Sequence, residues 1–556
     1  MKKGIRGLAV AGGVVTSALL LAGCGSSGSP ASAGSSSNTA TFVEAPNSPF
    51  VDNFNPWSPS NAMISSAFSE IYEPLLYFNT YTGTITGKLA TSYSYSNNHQ
   101  TITFTLRKGV KWSDGQPFTS NDVVFTFDMI LKNPSIDLNG LSNIIQSVSA
   151  KGKYTVVINL KSPNEADLYW IAGDTPIVPE HIWSKVSNPA SYTDTNPVTT
   201  GPFLLKSFST SLIVLKKNPH YWNPGEPHID TLKIPLYLSN NSASLAMVKG
   251  DFSIATQFVP SIKTTLLSRD PQHYFDWFPP ISENVLFTND AVYPFSSVTF
   301  RRALSYAINR KAITSRGEYN YETPANATGL PESKADQPVI DQSIVSQNPM
   351  TYDPSKARAI LKKAGYTWNS KNQLIDPKGQ PVSANIIAES GATDWVSDAQ
   401  IIAKELDNFG INATVQTPSP STFLSDLSNG NFQLGVYFTT YGPGPYFEYN
   451  TLLNSSFSAP IGHSATSNYE RWINPQTNAL LQQYTQEFTQ SAQQATLDKI
   501  EQIMAKDLPV IPLMDFPAWE QYNNTDFTGF PSAHNQYAAM ASPIDNMYVE
   551  AQLRKR

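Results

Sequence analysis

Thr101-Ile102-Thr103-Phe104-Thr105-Leu106-Arg107-Lys108-Gly109-Val110-Lys111-Trp112-Ser113-Asp114-Gly115-Gln116-Pro117-Phe118-Thr119-Ser120-Asn121-Asp122 is the stretch from which the fold is read. Ile102, Phe104 and Leu106 alternate with threonines, the period of a half-buried strand. Asp114-Gly115 supplies a turn, with Trp112 expected to pack beneath it. Arg107 is placed to pair with Asp114 or Asp122. Thr119 is expected to cap a helix that carries the apolar run 123–130, with Asp122 sitting favourably in its first-turn dipole. Residues 154–160 repeat the alternation with Val156, Ile158 and Leu160, so a second strand follows the helix.

Outward from this unit, strands and helices keep alternating, which argues for α/β layers. Phe300, Ala303, Leu304, Ala307 and Ile308 recur at helical spacing. Asp353-Pro354 gives an N-cap and a first-turn proline, with Ala357, Ile360, Leu361 and Ala364 as the buried stripe and Gly365 as the stop. Leu497, Ile500, Ile503 and Met504 form another stripe, ended by Leu508-Pro509. Asn/Ser/Pro-rich breaks near 187–196 and 329–353 read as linkers or long loops. There is no internal repeat.

The chain has 556 residues, enough for roughly two to four domains of about 100–200 residues. Apolar residues make up 40% and charged residues only 15%, against a usual ~25% charged. Asn, Gln, Ser and Thr fill the polar surface instead, a composition that fits an acidic exterior in which carboxylates lose their charge. With 44 acidic and 38 basic residues the net charge is −6, and no basic field exists to hold nucleic acid. The single cysteine, Cys24, excludes an internal disulfide and a Cys-based metal site. The seven histidines are scattered, and neither a metal nor a cofactor is expected. No GxSxG elbow or GxGxxG loop is present, and the run 83–88 is one residue short of a phosphate-binding loop.

Lys2, Lys3 and Arg6 precede an apolar run at 7–22, too short for a comfortable span of ~20 residues. It ends in Leu21-Ala22-Gly23-Cys24, which resembles the bacterial lipobox. Residues 1–24 are therefore expected to be a lipoprotein signal peptide with Cys24 lipidated. Residues 25–40 read as a flexible Ser/Gly linker that tethers the body to the outer face of the cytoplasmic membrane.

Further motifs recur in order along the mature chain. They are Asn53-Phe54-Asn55-Pro56, Ile71-Tyr72-Glu73-Pro74-Leu75-Leu76, the opening stretch itself, Thr200-Gly201-Pro202-Phe203, Asn218-Pro219-His220-Tyr221-Trp222, Arg301-Arg302-Ala303-Leu304, Ala307-Ile308-Asn309-Arg310, Asp353-Pro354 through Ala364-Gly365-Tyr366, and Leu508-Pro509-Val510-Ile511-Pro512-Leu513. On these residues the chain resembles the extracellular solute-binding proteins of ABC importers, in the oligopeptide/dipeptide/nickel group (solute-binding protein family 5). The resemblance implies an α/β, bilobed periplasmic-binding-protein-like fold of type II, with an additional inserted domain and the ligand cleft between the lobes. It places lobe 1 at 41–295 plus 515–556, the inserted domain at about 61–197, and lobe 2 at 296–514. It also implies a monomer that is not an enzyme and that hands a small solute to ABC permease subunits in the membrane.

Peptide-binding members of the resembled family carry an Asp after the strand near 432–438, where it meets the peptide's amino group. Here Thr440 occupies that position, and Glu448 or Glu283 are the available substitutes. Sugars need aromatic faces and neutral amides or hydroxyls instead. The candidate cleft residues are Trp57, Gln257, Phe258, Trp277, Asn284, Thr440, Tyr441 and Tyr446, with Trp395 and Trp519 as further candidates. The tail around Phe527-Thr528-Gly529-Phe530-Pro531 is similar to that of oligosaccharide-binding relatives. Family frequency ranks oligopeptide first. β-Linked oligosaccharide is the alternative, and a sensor lipoprotein or a secreted hydrolase stands behind both.

Overall fold

The structure is a computed structural model that describes residues 38–44, 48–58, 69–440, 442–540 and 542–556. The lipobox with Cys24, most of the linker and the candidate Tyr441 lie outside the described residues. Strand Thr101–Leu106 forms with Ile102, Phe104 and Leu106 buried. It pairs antiparallel with Ala90–Ser96 and Thr155–Leu160, and Ile145–Ala150 completes a four-stranded sheet within the interval 61–197. Helix Ser120–Lys132 follows a full capping box, Thr119 accepting from the helix start while Asp122 accepts from the Thr119 N–H. Trp112 is buried under the Asp114-Gly115 turn, where Gly115 takes the left-handed φ of +91°.

Arg107 pairs with neither expected carboxylate. Its guanidinium lies over the Trp222 ring at 3.7 Å and donates to the Lys88 and Gly87 carbonyls. Asp114 instead takes His181 at 2.7 Å, and Asp122 is occupied by the cap. An arginine beside an indole face and two carbonyls is well satisfied without either expected carboxylate.

Two larger sheets form the lobes. The first has seven strands in the order Tyr274–Trp277, Glu520–Asn523, Ile254–Thr256, Thr39–Glu44, Thr231–Pro235, Leu212–Lys217 and Phe203–Ser209. Its apolar face, with Ile213, Leu215, Leu232 and Ile254, is continuous with the core of the four-stranded sheet. The added domain thus shares a core with its lobe. The second sheet has five strands in the order Asn412–Gln416, Ser383–Ile387, Leu434–Phe438, Pro280–Thr288 and Val510–Pro517.

The chain passes from the first sheet to the second between Trp277 and Pro280, and returns between Pro517 and Glu520. These two crossings run side by side: Trp277 pairs with Glu520 in one sheet and Pro280 with Pro517 in the other. Between them, the Ala518 N–H donates to the Pro279 carbonyl at 2.8 Å. The crossing differs from the boundaries drawn from sequence at 295/296 and 514/515. Helices cover both faces of the second sheet, so Pro280–Thr288 is buried along nearly its whole length and carries no alternation to mark it as a lobe's central strand.

Candidate functional site

In open sheets with parallel strands, ligands bind beyond the carboxyl ends of those strands. In the first lobe, Thr39–Glu44 runs parallel to Thr231–Pro235 and Ile254–Thr256. In the second, Ser383–Ile387 runs parallel to Asn412–Gln416 and Leu434–Phe438. The carboxyl ends are Gln257-Phe258 on one side, and Glu389 and Thr439-Thr440 on the other.

From the first lobe come an amide and aromatic rings. Gln257 is fully buried. Its Nε2 reaches the Met247 sulfur at 2.7 Å, its main-chain carbonyl accepts from Gln521 Nε2 at 2.8 Å, and its Oε1 has no protein partner. Phe258 packs edge-on to Trp519, with centroids 5.3 Å apart, and Trp277 packs edge-on to Tyr81 at 5.4 Å.

From the second lobe, Asn284 stands opposite Phe438 and Met514 in the sheet register and so shares a face with them. It is 1% exposed, and neither its Oδ1 nor its Nδ2 has a protein partner. Trp395, in the first turn of helix Thr393–Phe409, packs against Tyr437, Phe438 and Phe516 at 5.0, 5.8 and 6.4 Å. Its buried indole N–H is also without a protein partner. Phe438 and Phe516 stack at 5.0 Å. Ser282 Oγ donates to the Thr439 carbonyl at 2.7 Å and orders the strand end, and Thr440 beyond it is exposed.

The carboxyl groups nearby are shifted upward by burial. Burial pushes the Glu389 carboxyl up to about 7. Glu283 and Glu448 are pushed well above the usual carboxylate range by burial, reinforced for Glu283 by the Asp515 and Glu448 carboxyls and for Glu448 by Asp336. Both available substitutes for the missing Asp are thus buried acids that resist ionisation.

Phe258, Trp277, Trp395, Phe516 and Trp519 belong to one packing cluster that runs from lobe to lobe across the crossing strands. Trp57 is placed elsewhere, in the core of the first lobe with Phe54 and Leu75. Tyr446 is buried in helix Pro445–Leu453, stacked on Tyr484 at 4.9 Å. Tyr321 was not among the expected residues. Its hydroxyl accepts from the Ile262 N–H at 2.7 Å, and its ring packs on Phe258, Phe278 and Trp519. It is presented by two consecutive left-handed residues, Tyr319 and Asn320. Such a loop has no periodicity, so its sequence carried no signal. Among the described residues no group of His, Cys, Asp and Glu is arranged to hold a metal ion, and no helix is long and apolar enough to cross a membrane.

Two lobes joined by paired crossing strands form a bilobed α/β architecture of the periplasmic-binding-protein type. Residues 84–460 match the family model of the bacterial extracellular solute-binding proteins, family 5, and the chain belongs to that family. It is 26% identical over 389 residues to the nickel-binding periplasmic protein of Escherichia coli, covering 68% of this chain and 71% of that one. It is 27% identical over 420 residues to a glutathione-binding protein of Pectobacterium atrosepticum, covering 72% and 78%. Among solved structures, it resembles the mannohexaose-bound periplasmic oligopeptide-binding protein of an oligopeptide ABC transporter from Thermotoga maritima. That match has a TM-score of 0.86 at 27% identity, covering 94% of this chain and 99% of that one. The fold is also that of the oligopeptide-binding protein AppA of Bacillus subtilis in complex with a nonapeptide, with a TM-score of 0.76 at 20% identity and coverage of 94% and 99%. The protein is therefore a solute-binding component of an ABC importer, in a family of binding proteins and not of enzymes.

Proposed function

We propose that this chain is a lipid-anchored import receptor whose interlobe site takes a neutral, hydroxyl-rich solute of the oligosaccharide class. The observation that carries this reading is the pairing of aromatic rings with neutral polar groups that have no protein partner: Gln257 Oε1, both polar atoms of Asn284, and the Trp395 N–H. Sugar hydroxyls donate and accept in turn, so they satisfy such groups, while C–H faces stack on rings. Thr440 offers no charge to a peptide ammonium, and burying an unpaired ammonium costs several kcal/mol. The Thermotoga relative, with its bound mannohexaose, supports the same class.

Peptide capture is the second reading, favoured by the glutathione-binding relatives and by the unpaired carboxyl oxygens of Glu283 and Glu448. A thermal-shift screen separates the two. Cello-, xylo-, laminari- and manno-oligosaccharides are expected to raise the melting temperature, while di- to pentapeptides and glutathione leave it in place. The opposite pattern would establish the peptide reading. Anchoring is tested separately: Cys24→Ser is expected to release the protein from the membrane fraction, and an unchanged fraction and mature mass would refute lipidation.

A further inference from the structure

We infer that the added domain is a latch: His99 and the segment 164–170 grip the second lobe at Tyr446, Phe447 and Phe488 and hold the two lobes together without help from solute. The inference rests on the reading of the interlobe face as the solute site, and it assigns a task to a domain that contributes none of the facing strand ends.

Three contacts make the latch. First, the Tyr446 hydroxyl donates to Asp167 Oδ1 at 3.4 Å. Asp167 is itself held in place, its Oδ2 accepting from Asn164 Nδ2 at 2.6 Å and its own N–H donating to Asn164 Oδ1 at 3.0 Å. Burial pushes the Asp167 carboxyl up to about 6. Second, the Phe447 ring sits 5.1 Å from Tyr169, edge-on, and 4.7 Å from Trp170. Phe447 also folds over Gly442, where a methyl group would lie 1.7 Å from the ring. Third, His99 stacks on Phe488 at 3.8 Å and 7°, while Glu165 Oε1 holds its Nδ1 at 2.5 Å. His99 is the last of three successive left-handed residues, Asn97, Asn98 and His99, a costly backbone that presents the ring outward from the strand turn.

The position of these contacts gives them a function. Segment 442–447 begins two residues on from Thr440, at the strand end that faces the solute site. Phe447 packs with the core of the first lobe, although it belongs to the second. The rings at the crossing strands form a different cluster. The lobes also meet where Asn240 donates to the Gly391 carbonyl and to Asp394 Oδ1, so the added domain supplies a grip separate from both the hinge and that contact. Aromatic pairs contribute beyond their buried area, so each ring contact shifts the closed-to-open ratio by roughly two- to tenfold.

The test uses the full chain with Cys24→Ser and spin labels at Lys132→Cys and Lys499→Cys, both at exposed positions. Electron-spin distance distributions are recorded with no solute present. The parent is expected to show a dominant near population. Trp170→Ala and Phe488→Ala are each expected to move two- to tenfold of the near-to-far ratio toward the far population. Phe488→Leu keeps apolar bulk while losing the ring stack and is expected to shift the ratio in the same direction, which separates the latch from a folding defect. A parent with no near population, or variants whose distributions match the parent, would overturn the latch. Because no sugar or peptide enters the experiment, failure of the oligosaccharide reading leaves its outcome unchanged.

Discussion

At Gly201 a methyl group would sit 2.4 Å from the Ile71 carbonyl oxygen, the same oxygen that accepts the Gly201 N–H at 2.9 Å. The backbone φ there is ordinary, so glycine is needed for close approach and not for left-handed geometry. Two backbones that meet this tightly cannot give way as a flexible side chain would. Gly201→Ala is expected to cost about 1–3 kcal/mol, the usual range for overpacking, measured as a lowered denaturant midpoint with an unchanged slope. An alanine variant as stable as the parent would show that the two backbone segments move apart freely. Thr200-Gly201-Pro202-Phe203 was legible in the sequence as a family motif, but the reason for its glycine lies in Ile71, far away in the chain. Arg107 shows the same limit, since its Trp222 partner has no local mark, whereas the Asp114-Gly115 turn is local and was read correctly.

Helix Ser120–Lys132 begins where its residues say it should, because a capping box is written in four consecutive residues. Thr119→Ala removes the side-chain acceptor of the Asn121 N–H at 3.2 Å, and about 1 kcal/mol of stability is expected to go with it. Equilibrium unfolding checks this, and Thr119→Ser is expected to restore most of the loss. The helices near 300–308, 354–364 and 497–504 were legible for the same reason, as stripes with local stops. The crossing strands were not. Pro280–Thr288 is covered on both faces and Tyr274–Trp277 is short, so neither offers a period to read. The candidate site was legible in part. Gln257, Phe258, Trp277 and Asn284 all lie at or beside the facing strand ends, while Trp57 packs in the core and Tyr446 serves the contact with the added domain. Tyr321 sits in an aperiodic loop and was missed.

Over the whole molecule, buried carboxyl groups set the response to pH. Burial pushes Asp167, Asp174, Asp394, Asp515 and Asp545 up to about 6. It pushes Asp336, Glu389 and Glu405 to about 7, and Glu70 and Glu501 to about 8. In the unfolded chain these groups ionise near 4. Between about pH 4 and pH 8 the native state therefore binds more protons than the unfolded state, and stability falls as pH rises. The stability is fully present below the unfolded values and is lost as pH passes through the folded ones. The melting temperature is expected to be highest near pH 4 and to decline toward pH 8. A curve that rises from pH 5 to 7 would contradict this. The low fraction of charged residues, legible from composition alone, points the same way, because a sparse surface charge limits self-repulsion in acid. The buried acids were not legible, since only the fold reveals which carboxyls lose their water.

The central claim is that neutral polar groups at the facing strand ends hold a hydroxyl-rich solute between the lobes, and Asn284 allows the most direct test. Neither of its side-chain polar atoms has a protein partner, so Asn284→Leu removes two buried polar atoms without breaking a protein hydrogen bond, and the fold is expected to survive. The measurement is isothermal titration calorimetry of the parent and Asn284→Leu with cello-, xylo-, laminari- and mannohexaose, and with glutathione and trialanine. The expected result is one-to-one binding of at least one hexaose by the parent, weakened roughly tenfold or more in the variant, with no heat from either peptide. Peptide binding without hexaose binding, or a variant that binds the hexaose as tightly as the parent, would contradict it.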